Sequence, residues 1–522
     1  MGSSRYFLTI DAGTGSGRAV LFDTNGNQIA VGQEEWTHKS EPGVPGSMDF
    51  DTRANWELIC RCIKRAVATA GIDPKDIQAV TATSMREGIV LYDSDKKELF
   101  AVANVDARAD KEVAELKAEF PSYEKEFYDL SGQTFALGAL PRILWVKKHK
   151  PALYEKTCHV NMISDWALTK LSGEIATDPS NGGTTGIFSL ARRTWEPEMA
   201  RKVGLKHDIF PPVLEPGAVL GTVTKAAAEA TGLSTETLVV MGGGDVQLGS
   251  AGLGVVKKDD AAVLGGTFWQ QIVNIDSTIG HPEMELRINP HVIPGLNQAE
   301  GITFFSGLVM RWFRDVFCQS EKEEAARRGM DPYALLEEKA REVPVGSNGI
   351  LPIFSDEMHY GRWYHAAPSL LNLSLDPALS SKAAIFRSLE ENAAIVSALN
   401  LEKIAAFTGV TSDRLVFAGG ASKGALWCQI LADVTGKEVK VPKVTEATAL
   451  GGAFACGVAT GEYASLADAA ADLVQWDRRY EPDFIHTTLY KEIKEKFVKA
   501  YSAQRNLVDA GVTDPMWKAP GL

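Results

Sequence analysis

The alternation of apolar and polar residues near the start of the chain predicts a meander of short strands and then a helix. Five apolar, β-prone runs predict strands: Tyr6–Ile10, Ala19–Phe22, Gln28–Val31, Ile77–Thr83 and Ile89–Tyr92. Asn25-Gly26 lies between two of these runs and indicates a hairpin. Thr52–Ala70 instead has apolar residues at helical spacing, so an amphipathic helix is expected before the fourth strand.

A similar pattern recurs later in the chain. Leu238–Met241 predicts a strand that leads through three glycines to Asp245, and Asp260–Asn274 predicts a strand, a Gly-rich turn and a strand. Two further strands are expected at Asp413–Ala418 and Glu438–Val441. Helices are predicted at Ala109–Glu119, Leu140–His149, Asp165–Leu171, Leu308–Phe317, Pro332–Glu342, Ser381–Phe407, Leu426–Thr435 and Ala447–Gly457.

These elements predict a duplicated, mixed α/β architecture in which each half opens with a strand, a Gly/Thr turn and a strand. The boundary is expected in the Gly-rich segment Gly249–Gly254, which divides the chain into residues 1–250 and 251–522. A length of 522 residues fits two or three domains rather than one.

Charge and cysteine content narrow the functional classes. A net charge of −13 argues against a nucleic-acid-binding face, which needs clustered Lys and Arg, but leaves room for a small anionic ligand. No apolar run approaches the roughly 18 residues of a membrane span, and the first residues lack an export signal. The six scattered cysteines form neither a zinc pattern nor a disulfide framework. A reduced, cytoplasmic protein is therefore expected.

The first Gly-rich turn, Asp11–Arg18, is a candidate phosphate loop. It joins two predicted strands, whereas a dinucleotide or Walker loop leads from a strand into a helix, so it belongs to neither class. Successive backbone N–H groups in such a turn can bind an anion. Taken alone, the turn fits a purely structural hairpin equally well.

Two similar turns facing each other across a cleft could hold the two ends of a triphosphate. The first offers Thr14, Ser16 and Arg18, and the second offers Gly266 and Thr267. Asp11 suits Mg²⁺, because this ion keeps most of its water shell and needs few protein ligands. The turn at Gly419-Gly420 would let a purine or ribose approach the backbone closely.

Phosphoryl transfer to an alcohol also needs an acceptor pocket and a base. Asp245, after three glycines, is the candidate base, and the alternative is an aspartate that caps a turn. Arg86 and Glu87 are candidate acceptor ligands, or a surface ion pair. Asp106 could join the same pocket with Arg108, and a structural role for both is equally open.

These motifs together resemble the FGGY carbohydrate kinases, which have the actin-like, ribonuclease H-type ATPase fold. The similar segments span almost the whole chain: Asp11–Arg18, Ser84–Gly88, Asp178–Gly186, Gly242–Gln247, Leu264–Trp269, Leu415–Pro442 and Glu446–Ala455. The resemblance implies two actin-like domains with an ATP and substrate cleft between them.

The resemblance also implies roles for single residues. Asp245 matches the catalytic base, Asp11 the metal-associated aspartate, and Arg86 and Glu87 the substrate pair. The nucleotide ligands implied are Thr14, Gly15, Ser16, Arg18, Gly266, Thr267, Gly307, Arg311, Gly420 and Gly424. Two of them depart from the glycerol-kinase branch, which usually has Gln where Arg311 stands and Asn where Gly424 stands.

The expected activity is an ATP- and Mg²⁺-dependent kinase for a small hydroxylated carbonyl compound, with substrate against Arg86, Glu87, Asp106 and Asp245. Two alternatives stay open. One is a kinase for another acceptor, such as glycerol or a pentulose, and the other is an actin-like ATPase switch without a phosphoryl acceptor. The resemblance further implies control by HPr, a phosphocarrier of the sugar phosphotransferase system.

Overall fold

A computed structural model describes residues 5–136, 138–360, 363–444 and 446–519 of the chain. The first half contains eleven strands and ten helices: β1 (Tyr6–Ala12), β2 (Ser16–Asp23), β3 (Gln28–Glu35), α1 (Thr52–Ala70), β4 (Ile77–Ser84), β5 (Ile89–Tyr92), β6 (Glu98–Val102), α2 (Asp110–Glu119), α3 (Tyr123–Ser131), α4 (Ala139–His149), α5 (Pro151–Lys156), β7 (His159–Met162), α6 (Ile163–Ser172), α7 (Pro179–Thr184), β8 (Phe188–Ser189), β9 (Thr194–Trp195), α8 (Pro197–Lys202), β10 (Val219–Thr222), α9 (Lys225–Thr231), β11 (Leu238–Gly244) and α10 (Asp245–Gly252), counted over these described residues.

The second half continues the alternation. Its described elements are β12 (Ala261–Gly265), β13 (Trp269–Ile275), β14 (Arg287–Pro290), β15 (Asn297–Thr303), α11 (Ser306–Phe317), α12 (Gln319–Arg328), α13 (Pro332–Ala340), β16 (Leu351–Ile353), β17 (Ser369–Leu371), α14 (Lys382–Thr408), β18 (Arg414–Ala418), α15 (Ala425–Thr435), β19 (Glu438–Pro442), α16 (Ala447–Ala459), α17 (Leu466–Leu473), β20 (Trp476–Tyr480) and α18 (Phe484–Asp509).

The two large sheets share one topology, which confirms the predicted duplication. The first has the order β10-β11-β4-β1-β2-β3, and the second β14-β15-β13-β12-β18-β19-β20. In each sheet an antiparallel meander begins at its first strand, β1 or β12, and two parallel strands follow on that strand's other side. Because both faces of the parallel strands are covered, β4 is buried over nearly its whole length.

Helices α10 and α16 cross between the two sheets at unusually short range. A Cβ on Gly252 would lie 1.9 Å from the carbonyl oxygen of Ala447, and one on Gly451 would lie 2.0 Å from that of Leu248. Only glycine fits at such a crossing. The apolar side chains of both helices join one buried cluster with β1, β2, β4 and β11. The C-terminal half thus packs α16 against the sheet of the N-terminal half.

The structure refines two sequence expectations in this region. The predicted boundary segment Gly249–Gly254 lies at the end of α10: its first four residues complete this helix, and Gly252 lies at the helix crossing. Asp245 was expected at the end of a strand, but β11 ends at Gly244 and Asp245 is the first residue of α10. The division into 1–250 and 251–522 itself stays a prediction.

The part of the chain that is described has no helix with both the length and the apolar character needed to cross a membrane. All six cysteines are free thiols.

Candidate active site

A pocket of about 500 Å³ lies in the second half, between the β12–β13 turn, the start of α11 and the turn after β18. Six of the predicted nucleotide ligands line it together: Gly266, Thr267, Gly307, Arg311, Gly420 and Gly424. They come from three separate stretches of sequence. Their convergence makes this pocket the candidate nucleotide site.

Glycine is required where these turns meet. A Cβ on Gly307 would lie 2.3 Å from the carbonyl oxygen of Gly266, and the Gly307 N–H donates to the carbonyl oxygen of Thr267 at 3.1 Å. Gly419 has a φ of +94°, and a Cβ there would lie 2.7 Å from the carbonyl oxygen of Gly265. Gly419 therefore shapes the turn whose next residue, Gly420, lines the pocket.

The rest of the pocket wall was missed from the sequence. Tyr333 and Trp427 supply aromatic surface, and Lys423 supplies a cation. Two carboxyl groups, Glu337 and Glu390, lie at the wall as well. Glu337 Oε2 accepts from the backbone N–H of Leu426 at 3.3 Å and so caps α15, whose own N-cap residue is a glycine.

The first Gly-rich turn is held by three side chains from two other segments. Trp36 Nε1 donates to the carbonyl oxygen of Gly13 at 3.0 Å, and Asn104 Nδ2 donates to Thr14 Oγ1 at 3.1 Å. His38 Nε2 lies 2.8 Å from the carbonyl oxygen of Thr14. Thr14 and Gly15 nevertheless remain exposed at the tip. The turn is therefore a braced loop with a free tip, as a phosphate-binding loop requires.

Arg18 connects this turn to the second half of the chain. Its Nη2 lies 2.6 Å from Asp11 Oδ2, and its Nη1 lies 2.8 Å from Glu446 Oε2, just before α16. Burial raises the pKa of the Asp11 carboxyl, and Arg18 opposes that rise. Burial also raises the pKa of Glu446, which lies close enough to Lys423 to be affected by its charge. Glu446 thus links the first turn to the pocket in the second half.

Asp245 stands at the start of α10 with 39% of its side chain exposed in the cleft. Its Oδ1 lies 3.6 Å from Arg86 Nε and also accepts from the backbone N–H of Val246 at 2.8 Å. The carboxyl is nevertheless surrounded by protein, and this desolvation raises the pKa of Asp245 to about 6, while Arg86 lowers it and the charges of Glu87 and Asp11 add to the rise. A carboxylate with this pKa is a suitable proton acceptor near neutral pH.

Arg86 and Glu87 are not a surface ion pair, because both are buried and each binds a partner from the second half. Arg86 Nη1 lies 2.6 Å from Glu300 Oε1 on β15. Glu87 Oε1 lies 2.5 Å from Arg287 Nη2 on β14. Arg287 and Arg86 hold the pKa of Glu87 below its usual value against the opposing effect of burial. The backbone of Glu87 has a φ of +66°, a strained value for a non-glycine residue.

A polar group continues from Arg287 on this side of the cleft. Gln133 Oε1 accepts from Arg287 Nε at 2.9 Å and from the Tyr360 hydroxyl at 3.1 Å. None of these three residues was singled out in the sequence. Glu300 was missed too, although Gln298 and Glu300 alternate along β15 and so share one face of the sheet.

Asp106 was expected to contact substrate, and the structure gives it internal partners. Its Oδ2 accepts from the Met48 N–H at 2.7 Å and from Arg108 Nε at 2.8 Å. The guanidinium of Arg108 lies near the rings of Phe100 and Trp145, 5.0 and 4.9 Å from their centroids. These contacts are those of the structural alternative, and the substrate role of Asp106 stays a prediction.

A short buried helix, α7, accepts hydrogen bonds from the backbone beside Asp245 and at Glu87. Ser180 Oγ accepts from the Gly244 N–H at 2.8 Å, one residue before Asp245. Thr184 Oγ1 accepts from the Glu87 N–H at 3.3 Å. Asp178 caps this helix. Burial of Asp165 and the negative charge of the neighbouring Asp178 raise the pKa of Asp165. The same helix therefore fixes the backbone of both the candidate base and the candidate acceptor ligand.

Comparison with known proteins identifies the family. The "FGGY family of carbohydrate kinases, N-terminal domain" matches residues 6–252, and the corresponding C-terminal domain matches residues 283–460. The chain belongs to the FGGY family of carbohydrate kinases. It is therefore a phosphotransferase with an alcohol group as acceptor, and ATP is its substrate.

Two curated relatives match over nearly their full length. The autoinducer-2 kinase of Enterobacter sp. (strain 638) is 58% identical over 519 residues, covering 99% of this chain and 98% of the relative. The autoinducer-2 kinase of Salmonella typhimurium is 56% identical over 521 residues, covering 100% of this chain and 98% of the relative.

Solved structures confirm the predicted fold. The xylulose kinase from Rhodospirillum rubrum has a TM-score of 0.83 at 23% identity, with 96% of this chain and 99% of that chain covered. Plasmodium falciparum glycerol kinase with ADP has a TM-score of 0.81 at 18% identity, with 96% and 99% covered. At these identities the likeness concerns the fold alone.

Proposed function

We propose that the protein transfers the γ-phosphoryl group of ATP to the terminal hydroxyl of autoinducer-2 in its linear form, 4,5-dihydroxy-2,3-pentanedione. The strongest support for this acceptor is the similarity to autoinducer-2 kinases of Enterobacter and Salmonella, at 56–58% identity over at least 99% of the chain. The fold cannot choose among acceptors, because related folds carry different sites.

The acceptor would lie against the polar groups around Arg86 and Glu87. Arg86 is fixed by Glu300, and Glu87 by Arg287, so both present preset hydrogen-bonding groups. The segments Ile288–Gly295 and Leu351–Tyr360 begin or end beside these groups. Tyr360 reaches Gln133 there, and Arg287 immediately precedes the first segment. An acceptor with adjacent carbonyl and hydroxyl oxygens fits a wall that offers both donors and acceptors.

Asp245 would act as the base. As a carboxylate it accepts the proton of the attacking hydroxyl while that oxygen bonds to the γ-phosphorus and the bond to the β–γ bridging oxygen breaks, leaving ADP. Arg86, at 3.6 Å, orients the carboxylate without forming a close ion pair with it. Closure of the two halves would exclude water, which otherwise competes as acceptor.

Mg²⁺ is part of this proposal. Asp11 is the expected ligand, with Asp245 and Glu446 adding negative charge nearby, since Asp11 raises the pKa of both. Over the residues that are described, no cluster of three or more His, Cys, Asp or Glu side chains could hold a metal. Mg²⁺ does not need such a cluster, because it keeps several waters, binds the nucleotide phosphates and takes only one or two carboxylates from the protein. Bound there, Mg²⁺ would neutralise phosphate charge.

The first turn would hold the phosphates from the N-terminal side through Thr14, Gly15, Ser16 and Arg18. The pocket in the second half would hold the rest of the nucleotide, with the adenosine toward Gly419 and Gly420. Gly266 and Thr267 would contact phosphate, because both are exposed and line the pocket at the β12–β13 turn.

The test is a product assay with purified protein, ATP, Mg²⁺ and the pentanedione. Mass spectrometry should detect a singly phosphorylated pentanedione together with ADP, and glycerol and a pentulose should be poorer acceptors by kcat/KM. A clear preference for glycerol or the pentulose would replace the proposed acceptor. ATP hydrolysis unaffected by every acceptor would favour the ATPase switch.

Control by HPr and a cytoplasmic location complete the proposal, since ATP and a phosphotransferase phosphocarrier are both available in the cytoplasm. Surface plasmon resonance with purified HPr should give a dissociation constant in the micromolar range or below. An unrelated acidic protein of similar size is the control. Absence of binding at these concentrations would remove HPr as a partner.

A further inference from the structure

Gly424 and Glu337 occupy one space at the wall of the nucleotide pocket. A Cβ at position 424 would lie 1.8 Å from Glu337 Oε1 and 2.9 Å from its Cδ. Glu337 comes from α13, 87 positions earlier in the chain, and is almost wholly buried. The missing side chain at 424 is therefore what admits the Glu337 carboxyl to this position.

The two oxygens of Glu337 have different surroundings. Oε2 accepts from the Leu426 N–H at 3.3 Å and holds the start of α15. Oε1 is the atom nearest to the open side of Gly424, which lines the pocket. One oxygen is thus engaged with the backbone, and the other is placed to meet a ligand.

Glu390 backs Glu337 and also borders the pocket. It is fully buried, and apart from the adjacent Glu337 carboxyl neither of its side-chain oxygens has a hydrogen-bond partner within the described ranges. Burial and the neighbouring Glu337 raise the pKa of Glu390 well above its usual value. A buried polar group without partner is rare in folded proteins unless a ligand or water completes it.

The remaining wall fits a flat ring system. Trp427, Tyr333, Phe386 and Met310 supply aromatic and apolar surface in the same pocket. A purine between such side chains presents polar atoms only at its edge. The edge of adenine carries an exocyclic amino group that donates, whereas hypoxanthine carries a carbonyl oxygen at the same carbon.

We propose that Glu337, admitted by Gly424 and backed by Glu390, accepts a hydrogen bond from the exocyclic amino group of adenine and thereby selects adenine nucleotides. The inference rests on the proposed use of this pocket for the nucleotide. A carbonyl oxygen at that carbon would face the lone pairs of Oε1, so that hypoxanthine nucleotides are disfavoured.

The test measures ADP and IDP binding by calorimetry, without any acceptor. Wild type should bind ADP at least tenfold more tightly than IDP. Glu337→Gln keeps an oxygen for capping α15 and adds an amide donor. It should therefore bring the ratio of the ADP and IDP dissociation constants to within threefold of one. Gly424→Ala should also narrow the ratio, because its Cβ displaces the carboxyl. Glu338→Gln is the matched control, since Glu338 is half-exposed and pairs with Arg328, and it should leave the ratio unchanged.

An equal affinity of wild type for ADP and IDP would overturn the inference, as would an unchanged ratio in both Glu337→Gln and Gly424→Ala. Tighter binding of GDP than of ADP would overturn it too, because the carboxylate would then serve the ring N–H and amino groups of guanine. Phosphorylation of the pentanedione without ADP selectivity sinks only this inference. ADP selectivity without phosphorylation sinks only the proposed acceptor.

Discussion

The two halves of the molecule place a carboxylate at the same point of the same topology. In the first sheet, the second parallel strand after the meander leads into α10 at Asp245, and in the second sheet the equivalent strand leads into α16 after Glu446. Both carboxylates lie beside an arginine of the first half. Asp245 is 3.6 Å from Arg86, whereas Glu446 is 2.8 Å from Arg18.

The two distances differ because Arg86 and Arg18 have different additional ion-pair partners. Arg86 is bound more closely by Glu300, at 2.6 Å, so it leaves Asp245 free to exchange a proton. Arg18 is shared between Asp11 and Glu446 at short range, so Glu446 is a fixed ion-pair partner. The same position in a duplicated fold thus suits proton transfer in one half and the fixing of a phosphate-loop arginine in the other.

The two Gly-rich turns also differ in the groups that support them. Side chains of Trp36, His38 and Asn104 brace the first turn. The second turn is supported mainly by backbone, through the Gly307 N–H, and by its neighbour Phe268, which packs against the Phe304 ring at 5.2 Å. The first turn is therefore built to hold charge in a fixed position, and the second to leave room for a large ligand.

Removing the charge of Asp245 should have the largest effect. Asp245→Asn should lower kcat by about 10²–10⁴-fold, the usual contribution of a general base, while the ADP dissociation constant stays nearly unchanged. Stopped-flow or coupled-assay kinetics and calorimetry check the two quantities. Glu446→Gln, at the equivalent position, is the comparison and should cost far less in kcat. Near-wild-type turnover in a correctly folded Asp245→Asn protein would remove Asp245 as the base.

Substitutions of Arg18 and Arg86 should affect the KM values of different substrates. Arg18→Gln should raise KM for ATP by about 10–100-fold, as expected for the loss of a charged hydrogen bond, and by the same factor with every acceptor. Arg86→Gln should instead raise KM for the pentanedione more than for a weaker acceptor. Steady-state kinetics with two acceptors measure both. Acceptor-dependent effects at Arg18 would contradict this division of roles.

Much of this arrangement is readable from the sequence, because it depends on local pattern. The strand, turn and strand units around Thr14 and Thr267 are set by alternating apolar residues and by glycines. The glycines before Asp245 mark a backbone that passes close to other groups. The helix predicted at Thr52–Ala70 has the same bounds in the structure.

What the sequence could not provide are the partners that arise from folding. Glu300 lies 214 positions from Arg86, and Glu337 lies 87 positions from Gly424, so no local pattern joins them. Composition alone also does not show that Gly252, in the predicted boundary segment Gly249–Gly254, lies at a close helix crossing. Helix α18 was missed, since only Tyr490, Phe497 and Tyr501 of its residues are buried and its apolar stripe is narrow.

The protonation of the Asp245 carboxylate should govern the pH dependence of kcat/KM. Only the carboxylate accepts a proton, and its pKa is raised to about 6 by burial, so kcat/KM should fall about tenfold per pH unit below that value. A profile from pH 5 to pH 8 at saturating Mg²⁺ measures the midpoint. Arg86→Gln removes a charge that lowers this pKa and should shift the midpoint upward. A flat profile through pH 6 would contradict the assignment of the base.

The bracing of the first turn should show in stability, with the smallest effect of the four. A Cβ on Gly17 would lie 2.8 Å from Trp36 and 2.9 Å from Leu58, so Gly17→Ala should lower the free energy of unfolding by about 1–3 kcal/mol through overpacking. Gly15 is the matched control, because a Cβ there meets nothing within 4 Å. Thermal unfolding without nucleotide should show a lower Tm for Gly17→Ala than for wild type and an unchanged Tm for Gly15→Ala. Equal Tm values for the two variants would mean that Trp36 yields to the added methyl group and that the turn is braced no more firmly than its counterpart in the second half.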